Sequence, residues 1–418
     1  MRDADMRVAV LGAGVIGVTT AWYLAEAGFG VTVFERRDGP ALETSFANGG
    51  QISVSHAEPW AGPRAWRHLA RWLGREEAPL LWRLRADAAQ WAWGARFLRQ
   101  CSSARAAANM RALIRLGLAS RAALGELRDH LALEYDHVGR GILHIYTQPG
   151  EYAHARDQAA RMTDEGCTRQ VLDVAACLAL EPALAHATRF VGGIHTPDDE
   201  SGDAHRFTCA LAAKATHRGV VFRHGAAVDR IEHAGDAVAG IRLADGERIA
   251  ADAVVVALGS HAPSLLRPMG IHLPIYPAKG YSVTFALAGG MTAPTVSLTD
   301  DEQRIVMSRL GDRLRVAGTA EFAGYDERIN VRRCEAIRRR TMAWFPSLAD
   351  CGPVEYWTGL RPSTPGNVPI IGQSRVRGLW INGGHGTLGW TLACGSAQLL
   401  AELMAQRAPT VDPTPYAP

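Results

Sequence analysis

Three glycines at fixed spacing, Gly12-Ala-Gly14-Val-Ile-Gly17, followed 18 positions later by Glu35, can hold the two ends of an adenosine diphosphate. Gly12 permits a tight turn, Gly14 lets the backbone approach a pyrophosphate, and Gly17 lets a helix pack on a strand. Val15 and Ile16, between these glycines, are expected at the cofactor too, and the N-terminus of the helix that follows offers free N–H groups and a positive dipole end to phosphates. Glu35 is placed to accept from ribose hydroxyls, and Arg36 and Arg37 follow where they can lie along adenosine or in solvent. Such residues need strands and a helix to place them. Arg7-Val-Ala-Val-Leu11 reads as a buried parallel strand, Val18 to Ala27 as a helix ended by Gly28, and Val31-Thr-Val-Phe34 as a second strand. This is a βαβ unit, and it predicts a dinucleotide site.

Other segments favour FAD over NAD. Thr44-Ser45-Phe-Ala-Asn48-Gly49-Gly50-Gln51-Ile-Ser53 is rich in small hydroxyl, amide and glycine residues that can track a pyrophosphate and ribityl chain; its alternative is a surface loop of turn-forming residues. Ala253-Val-Val-Val-Ala257-Leu-Gly259 predicts another buried parallel strand ending in glycine. Gly219–Phe222 and Ala226–Ile231 are expected to extend the same sheet, with Val228 meeting adenine through its backbone. Near the C-terminus, a strand over Gly378–Asn382 is followed by Gly383-Gly384-His385-Gly386-Thr387-Leu388-Gly389-Trp390, with a helix beginning near Thr387. A second glycine-framed helix start can aim its N–H groups at a flavin carbonyl and stabilise charge that develops on reduction.

The remaining composition excludes several classes. With 418 residues, two or three domains with substantial cores are expected. A formal charge of +3 with no long run of like charge gives no reason to expect nucleic acid. Seven scattered cysteines without a C-x-x-C pair predict neither a zinc site nor a disulfide framework, so a reduced, cytoplasmic compartment is the simpler reading. The first residues make a poor signal peptide, and no apolar run is long enough to span a bilayer. No Ser/His/Asp or metal-ligand cluster is visible, and no metal is expected.

Taken with Glu43-Thr-Ser-x-Ala-Asn48, Ala57-x-Pro-Trp60, Asp199-Glu-x-Gly-Asp203, Tyr276-Pro-x-Lys-Gly-Tyr-Ser282, Trp357-Thr-Gly-Leu-Arg-Pro362 and Gly384–Trp390, these motifs run nearly end to end. Together they resemble the bacterial D-amino-acid dehydrogenases of the FAD-containing small-subunit type, within the D-amino-acid oxidase and glycine oxidase superfamily. The resemblance implies an α/β fold: a Rossmann-like FAD-binding domain (1–59, 191–269 and 351–418) and an α+β cap on an antiparallel sheet (60–190 and 270–350). It implies oxidative deamination of D-amino acids, with hydride passing from Cα to FAD and electrons going to a quinone-type acceptor. By the same resemblance Arg361 anchors the substrate carboxylate, a task its planar fork suits.

Tyr281 is expected as a second carboxylate contact or lid, with core filling as the alternative for a tyrosine in an alternating strand. Lys279 fits an ion pair as well as a catalytic task, and His385 can act through its ring or only its backbone. Six of eleven tryptophans lie at Trp60, Trp66, Trp72, Trp82, Trp91 and Trp93, interleaved with arginines. The resemblance implies peripheral attachment to the inner-membrane face; cap core with a solvated basic surface is the alternative. Rival activities are a D-proline or hydroxy-D-proline dehydrogenase, an oxygen-using glycine or sarcosine oxidase, and a flavin-binding module without catalysis.

Overall fold

A computed structural model describes residues 6–65, 74–187, 189–289 and 291–418. Its smaller large sheet has six strands in the order Ile370–Gln373, Leu379–Gly383, Ala253–Val256, Arg7–Leu11, Gly30–Phe34 and Val221–Arg223. All neighbours are parallel except the first pair. The central strands are continuous apolar runs because both faces are covered. Val8 and Val10 face the helices Val15–Glu26, Ala204–His217 and Gly389–Met404, whereas Ala9 and Leu11 face Ile231, Ile241 and Leu243 on the other side.

The expectation that Ala226–Ile231 extends this sheet is not met. Val228–Ala234 pairs antiparallel with Ala237–Leu243, which pairs with Arg248–Ala250 in a separate three-stranded sheet. Only Gly235 and Asp236 link the first two strands, and so short a connection permits a hairpin but not a parallel crossover. Val221–Arg223 does join the parallel sheet, beside Gly30–Phe34.

The second large sheet has nine strands. Its path runs Glu355–Ser363, Tyr276–Ala286, Arg313–Phe322, Ile305–Leu310, Ser297–Asp300, Ile142–Tyr146, Gly192–Thr196 and Gln170–Leu172, with Leu80–Trp82 added beside Arg313–Phe322. It is mixed rather than purely antiparallel: Ser297–Asp300 with Ile142–Tyr146, and Leu80–Trp82 with Arg313–Phe322, are parallel. These partners are far apart in sequence, so no hairpin dictates their direction. Gly192–Thr196 and Glu355–Ser363 belong to this sheet, against boundaries at 191 and 351. Helix Val331–Trp344 closes one face over a core of Val283, Phe285, Met307, Val316 and its own Ile337 and Trp344.

Candidate active site

Both glycine-framed helix starts open on one cleft. Gly14, at the N-cap of helix Val15–Glu26, and Gly386 and Gly389, at the start of helix Gly389–Met404, line the same space. The two helices pack side by side through the core that contains Val18, Ala21, Ala393 and Leu400, so their N-termini converge. Gly17 is outside the cleft. A Cβ there would stand 1.8 Å from the Gly12 carbonyl oxygen, so its glycine is needed for the turn itself. Gly12 holds φ +99° with the Ala257 carbonyl beneath it.

Gly14 is different. Its φ is −69°, and a Cβ would meet only the Ser45 Oγ, at an ordinary 3.5 Å. The bare protein gives no reason for a glycine there; a pyrophosphate against the backbone does.

Around this opening stand the residues that the sequence singles out. The Glu35 carboxylate accepts from the Ala13 and Arg37 amides at 2.8 and 2.9 Å, which fixes it at the end of its strand beside the glycine turn. Arg36 and Arg37 both pair with Glu43, and Arg36 also meets the His261 ring at 3.1 Å. Burial works against the Glu43 charge, but the two arginines outweigh it and hold its carboxyl below the usual range. Ser45 Oγ accepts the first helical N–H, from Val15, at 3.1 Å, and Thr44 Oγ1 donates to the Leu360 carbonyl at 2.9 Å. Ile16, Val228, Ala257 and Gly259 complete this part of the cleft.

Past Ser45 the cleft continues into a second cavity between the nucleotide side and the nine-stranded sheet. Asn48, Gly49, Gly50, Gln51, Thr387 and Leu388 line it. A Cβ on Gly49 would stand 2.3 Å from Val306 Cγ2, so this loop lies directly on the sheet. Gln51 Nε2 donates to Ser297 Oγ and the Leu298 carbonyl, tying the two layers together.

Arg361 is in this cavity. Its guanidinium lies across Gly280, where a Cβ would be 2.4 Å from Cζ, and Nη1 donates to the Thr319 carbonyl at 2.6 Å. Thr319 holds a left-handed φ of +54° beside a register shift in the Tyr276–Ala286 pairing, local strain that presents this carbonyl. Among the described residues no carboxylate pairs with Arg361. Burial, with Arg333 nearby, depresses it to about 10. A desolvated guanidinium without a counterion, open to a cavity, is a receptor for an anion. Trp357 covers Gly359 on the same strand; the sequence alone did not single out this ring as a cavity wall.

Tyr281 is among the residues that border this cavity, but its hydroxyl is engaged elsewhere. Strand alternation turns its side chain away from Gly280 into the core with Val283, Phe285 and Cys334, and its hydroxyl donates to Glu321. Lys279, on the same face, lies 3.7 Å from Glu321 and 3.8 Å from Asp326, which makes it part of a buried ionic network. His385 lines the nucleotide cleft but not the Arg361 cavity. Its Nε2 meets Ser396 Oγ at 3.1 Å and its Nδ1 has no partner; burial drives it down to about 3, so the ring is neutral. Gly384 borders neither space: its Cβ would strike Thr364 at 2.6 Å.

A cluster unseen in the sequence does form. Asp301, His144 and Ser55 are hydrogen-bonded in a row, and Ser53 and His56 follow. The parallel pairing of Ser297–Asp300 with Ile142–Tyr146 brings Asp301 to His144. Of the tryptophans, Trp82 stacks on Phe322 and Trp93 packs tilted against it in a cap core, while Trp91 is exposed. Trp66 and Trp72 lie outside the described residues.

The FAD dependent oxidoreductase family matches residues 7–403. The chain belongs to that family. It is 56% identical over 409 residues, 97% of this chain and 98% of the relative, to the D-amino acid dehydrogenase of Dechloromonas aromatica. It is 52% identical, over 96% of each chain, to that of Paramagnetospirillum magneticum. The fold is that of glycine oxidase from Geobacillus kaustophilus, with a TM-score of 0.79 at 22% identity over 99% and 98% of the two chains. L-proline dehydrogenase from P. horikoshii has a TM-score of 0.77 at 17% identity, over 99% and 96%. The chain is thus an FAD-dependent oxidoreductase, and the cleft described above fits that cofactor. Among the described residues, no helix is long and apolar enough to cross a membrane.

Proposed function

We propose that this enzyme oxidises D-amino acids to 2-oxo acids and ammonia and hands the electrons to a quinone-type acceptor. The observation that carries this reading is Arg361, a guanidinium in the cavity beyond the flavin loop with only a backbone carbonyl as partner. Its fork would pair with the substrate carboxylate and orient Cα. FAD, when bound, supplies the redox chemistry by accepting the hydride from Cα. Gly12, Gly14, Val15, Ile16, Glu35, Thr44 and Ser45 would hold its ADP half. Asn48 to Gln51 and Gly386 to Gly389 would hold the isoalloxazine. By sheet membership the cofactor domain would be 1–59, 197–269 and 364–418, with the cap between. The relatives named D-amino acid dehydrogenase support the substrate class.

Delivery to a membrane quinone draws support from helix Ala88–Gln100, where Trp91 and Leu98 are exposed beside Arg96 and Arg99, with Leu84 and Arg85 nearby. An exposed tryptophan among arginines suits an interface with anionic headgroups. Anaerobic mixing of the holoenzyme with D- and L-alanine tests the activity. Bleaching of the flavin by the D-enantiomer alone is expected; bleaching by neither would overturn the reading. Hydrogen peroxide formed in step with substrate loss would assign electron delivery to oxygen instead.

A further inference from the structure

An amino acid at neutral pH carries an ammonium, and Cα cannot release hydride to a good acceptor until that nitrogen has a free electron pair. Neither Arg361 nor the neutral, remote His385 can take the proton. The cavity wall contains a group that can. His56 borders the cavity together with Gln51, Ser53 and Asp301.

Behind it the hydrogen bonds run without a gap. His56 Nδ1 meets Ser53 Oγ at 2.5 Å, and Ser53 Oγ meets Ser55 Oγ at 3.0 Å. Ser55 Oγ meets His144 Nε2 at 3.0 Å, and His144 Nδ1 meets Asp301 Oδ2 at 2.7 Å. Tyr146 also donates to Asp301 at 2.7 Å.

The directions follow from the Asp301 end. A carboxylate only accepts, so His144 Nδ1 carries the proton that faces Asp301. With the lone pair of His144 on Nε2, Ser55 must donate to it. With that proton committed, Ser55 accepts from Ser53, and Ser53 accepts from His56 Nδ1–H. His56 Nε2 is left as a lone pair. Protonating that nitrogen and shifting each proton one step along the row leaves His144 doubly protonated beside Asp301 and restores His56 to neutrality. Resting on the amine-oxidation reading above, we propose that His56 accepts the substrate ammonium proton and that Ser53 and Ser55 relay it to the His144–Asp301 pair.

The step balances. The N–H bond of the ammonium breaks, one proton appears on His144, and the amine is left with the free electron pair from which loss of hydride at Cα to bound FAD would give the iminium cation. The surrounding charges suit a conduit rather than a store at His56. Burial, reinforced by His144, Arg169 and Arg304 and opposed by Asp301, drives His56 down to about 3. Glu58, two residues on, pairs with His154 at 3.6 Å. Burial works against the Asp301 charge, but a charged His144 outweighs it and holds the carboxyl well below its ordinary range, so the pair keeps the relayed proton on the imidazole. Asp199 is the competing acceptor near Ser55, already taking the Val54 and Ser55 amides at 3.0 and 3.2 Å.

Anaerobic stopped-flow mixing of the holoenzyme with D-alanine over pH 5 to 10 tests the relay. His56→Phe and Ser53→Ala should each bleach the flavin about 100-fold more slowly at pH 7 or worse, the scale of a lost general base. In both, the rate should climb with pH as the substrate amine itself deprotonates, and Ser53→Thr should recover most of the Ser53→Ala loss. Pyruvate, which has the carboxylate but no ammonium, should perturb the flavin spectrum of all four proteins at the same concentration. That control separates a broken relay from a broken fold. Nitrogen-15 NMR of the substrate-free holoenzyme should show His56 as the Nδ1–H tautomer.

Wild-type rates for His56→Phe and Ser53→Ala at pH 7, or the Nε2–H tautomer, would overturn the relay. So would stoichiometric metal in the purified protein, since the ligand atoms of His56, His144 and Asp301 lie within 4.8 Å of one another. A wild-type holoenzyme that no D-amino acid bleaches would instead overturn the substrate reading.

Discussion

Arg361→Met separates a substrate anchor from a structural arginine because the two roles predict opposite signs for stability. In the free protein the guanidinium has one hydrogen bond, to the Thr319 carbonyl, and no counterion among the described residues. Burial lowers it from 12.5 to about 10. For a base whose folded value is depressed, the charged form is disfavoured on folding. The penalty is fully present below about pH 10 and vanishes above the unfolded value. At 1.36 kcal/mol per unit it comes to about 3 kcal/mol at neutral pH.

A substrate carboxylate offsets that penalty when it binds; methionine removes it outright while keeping much of the side-chain volume. The variant should therefore melt no lower than the wild type in the absence of ligand. Its affinity should fail. Removing one partner of a desolvated charge pair costs about 2–5 kcal/mol, which corresponds to roughly 30-fold to several-thousand-fold in substrate dissociation constant. Paired thermal melts with and without pyruvate, and flavin reduction titrated with D-alanine, measure both quantities. Wild-type affinity within threefold, or a melting temperature several degrees lower with no ligand, would refute the reasoning. Either result would mean that Arg361 supports the fold and not the substrate.

Gly14→Ala should leave the melting temperature of the FAD-free protein unchanged, since its Cβ meets only Ser45 Oγ at 3.5 Å, yet weaken FAD binding by tenfold or more in a fluorescence titration. Gly17→Ala, whose Cβ would be 1.8 Å from a carbonyl oxygen, should lower the yield of folded protein whether or not FAD is supplied. Glu321→Ala removes the shared partner of Lys279, Arg83 and Tyr281, leaves Lys279 only Asp326 as an acidic partner among the described residues, and should cost about 3–5 kcal/mol in urea unfolding, the scale for breaking a buried pair. His385 is neutral when folded, held down to about 3, and takes up a proton near 6.5 once unfolded. Its contribution to stability is therefore lost as pH falls below 6.5, by about 1.4 kcal/mol per pH unit until pH 3, and His385→Gln should flatten that part of the urea-midpoint profile.

Sequence patterns reached those parts of the site that one local segment defines. A turn that needs Gly12 and Gly17, a helix start and an acid at a strand end all lie within 29 residues, and the backbone conformation they require is written in their own residue types. What stayed hidden depends on sheet register and strand face. Tyr281 and Gly280 are neighbours, but alternation puts one in the core and leaves the other bare beneath Arg361, and no composition rule says which face is which. The short link Gly235-Asp236 carries a hairpin signal, and it is this local turn that pairs Val228–Ala234 with Ala237–Leu243 away from the parallel sheet. His144 and Asp301 are 157 residues apart and meet only because Ser297–Asp300 runs parallel to Ile142–Tyr146, a pairing with no local cause. The binding half of the chemistry is thus local and legible, whereas the proton-handling half is assembled by topology. A one-residue slip between those two strands would turn His144 to the opposite face and break the row while leaving the nucleotide motif untouched.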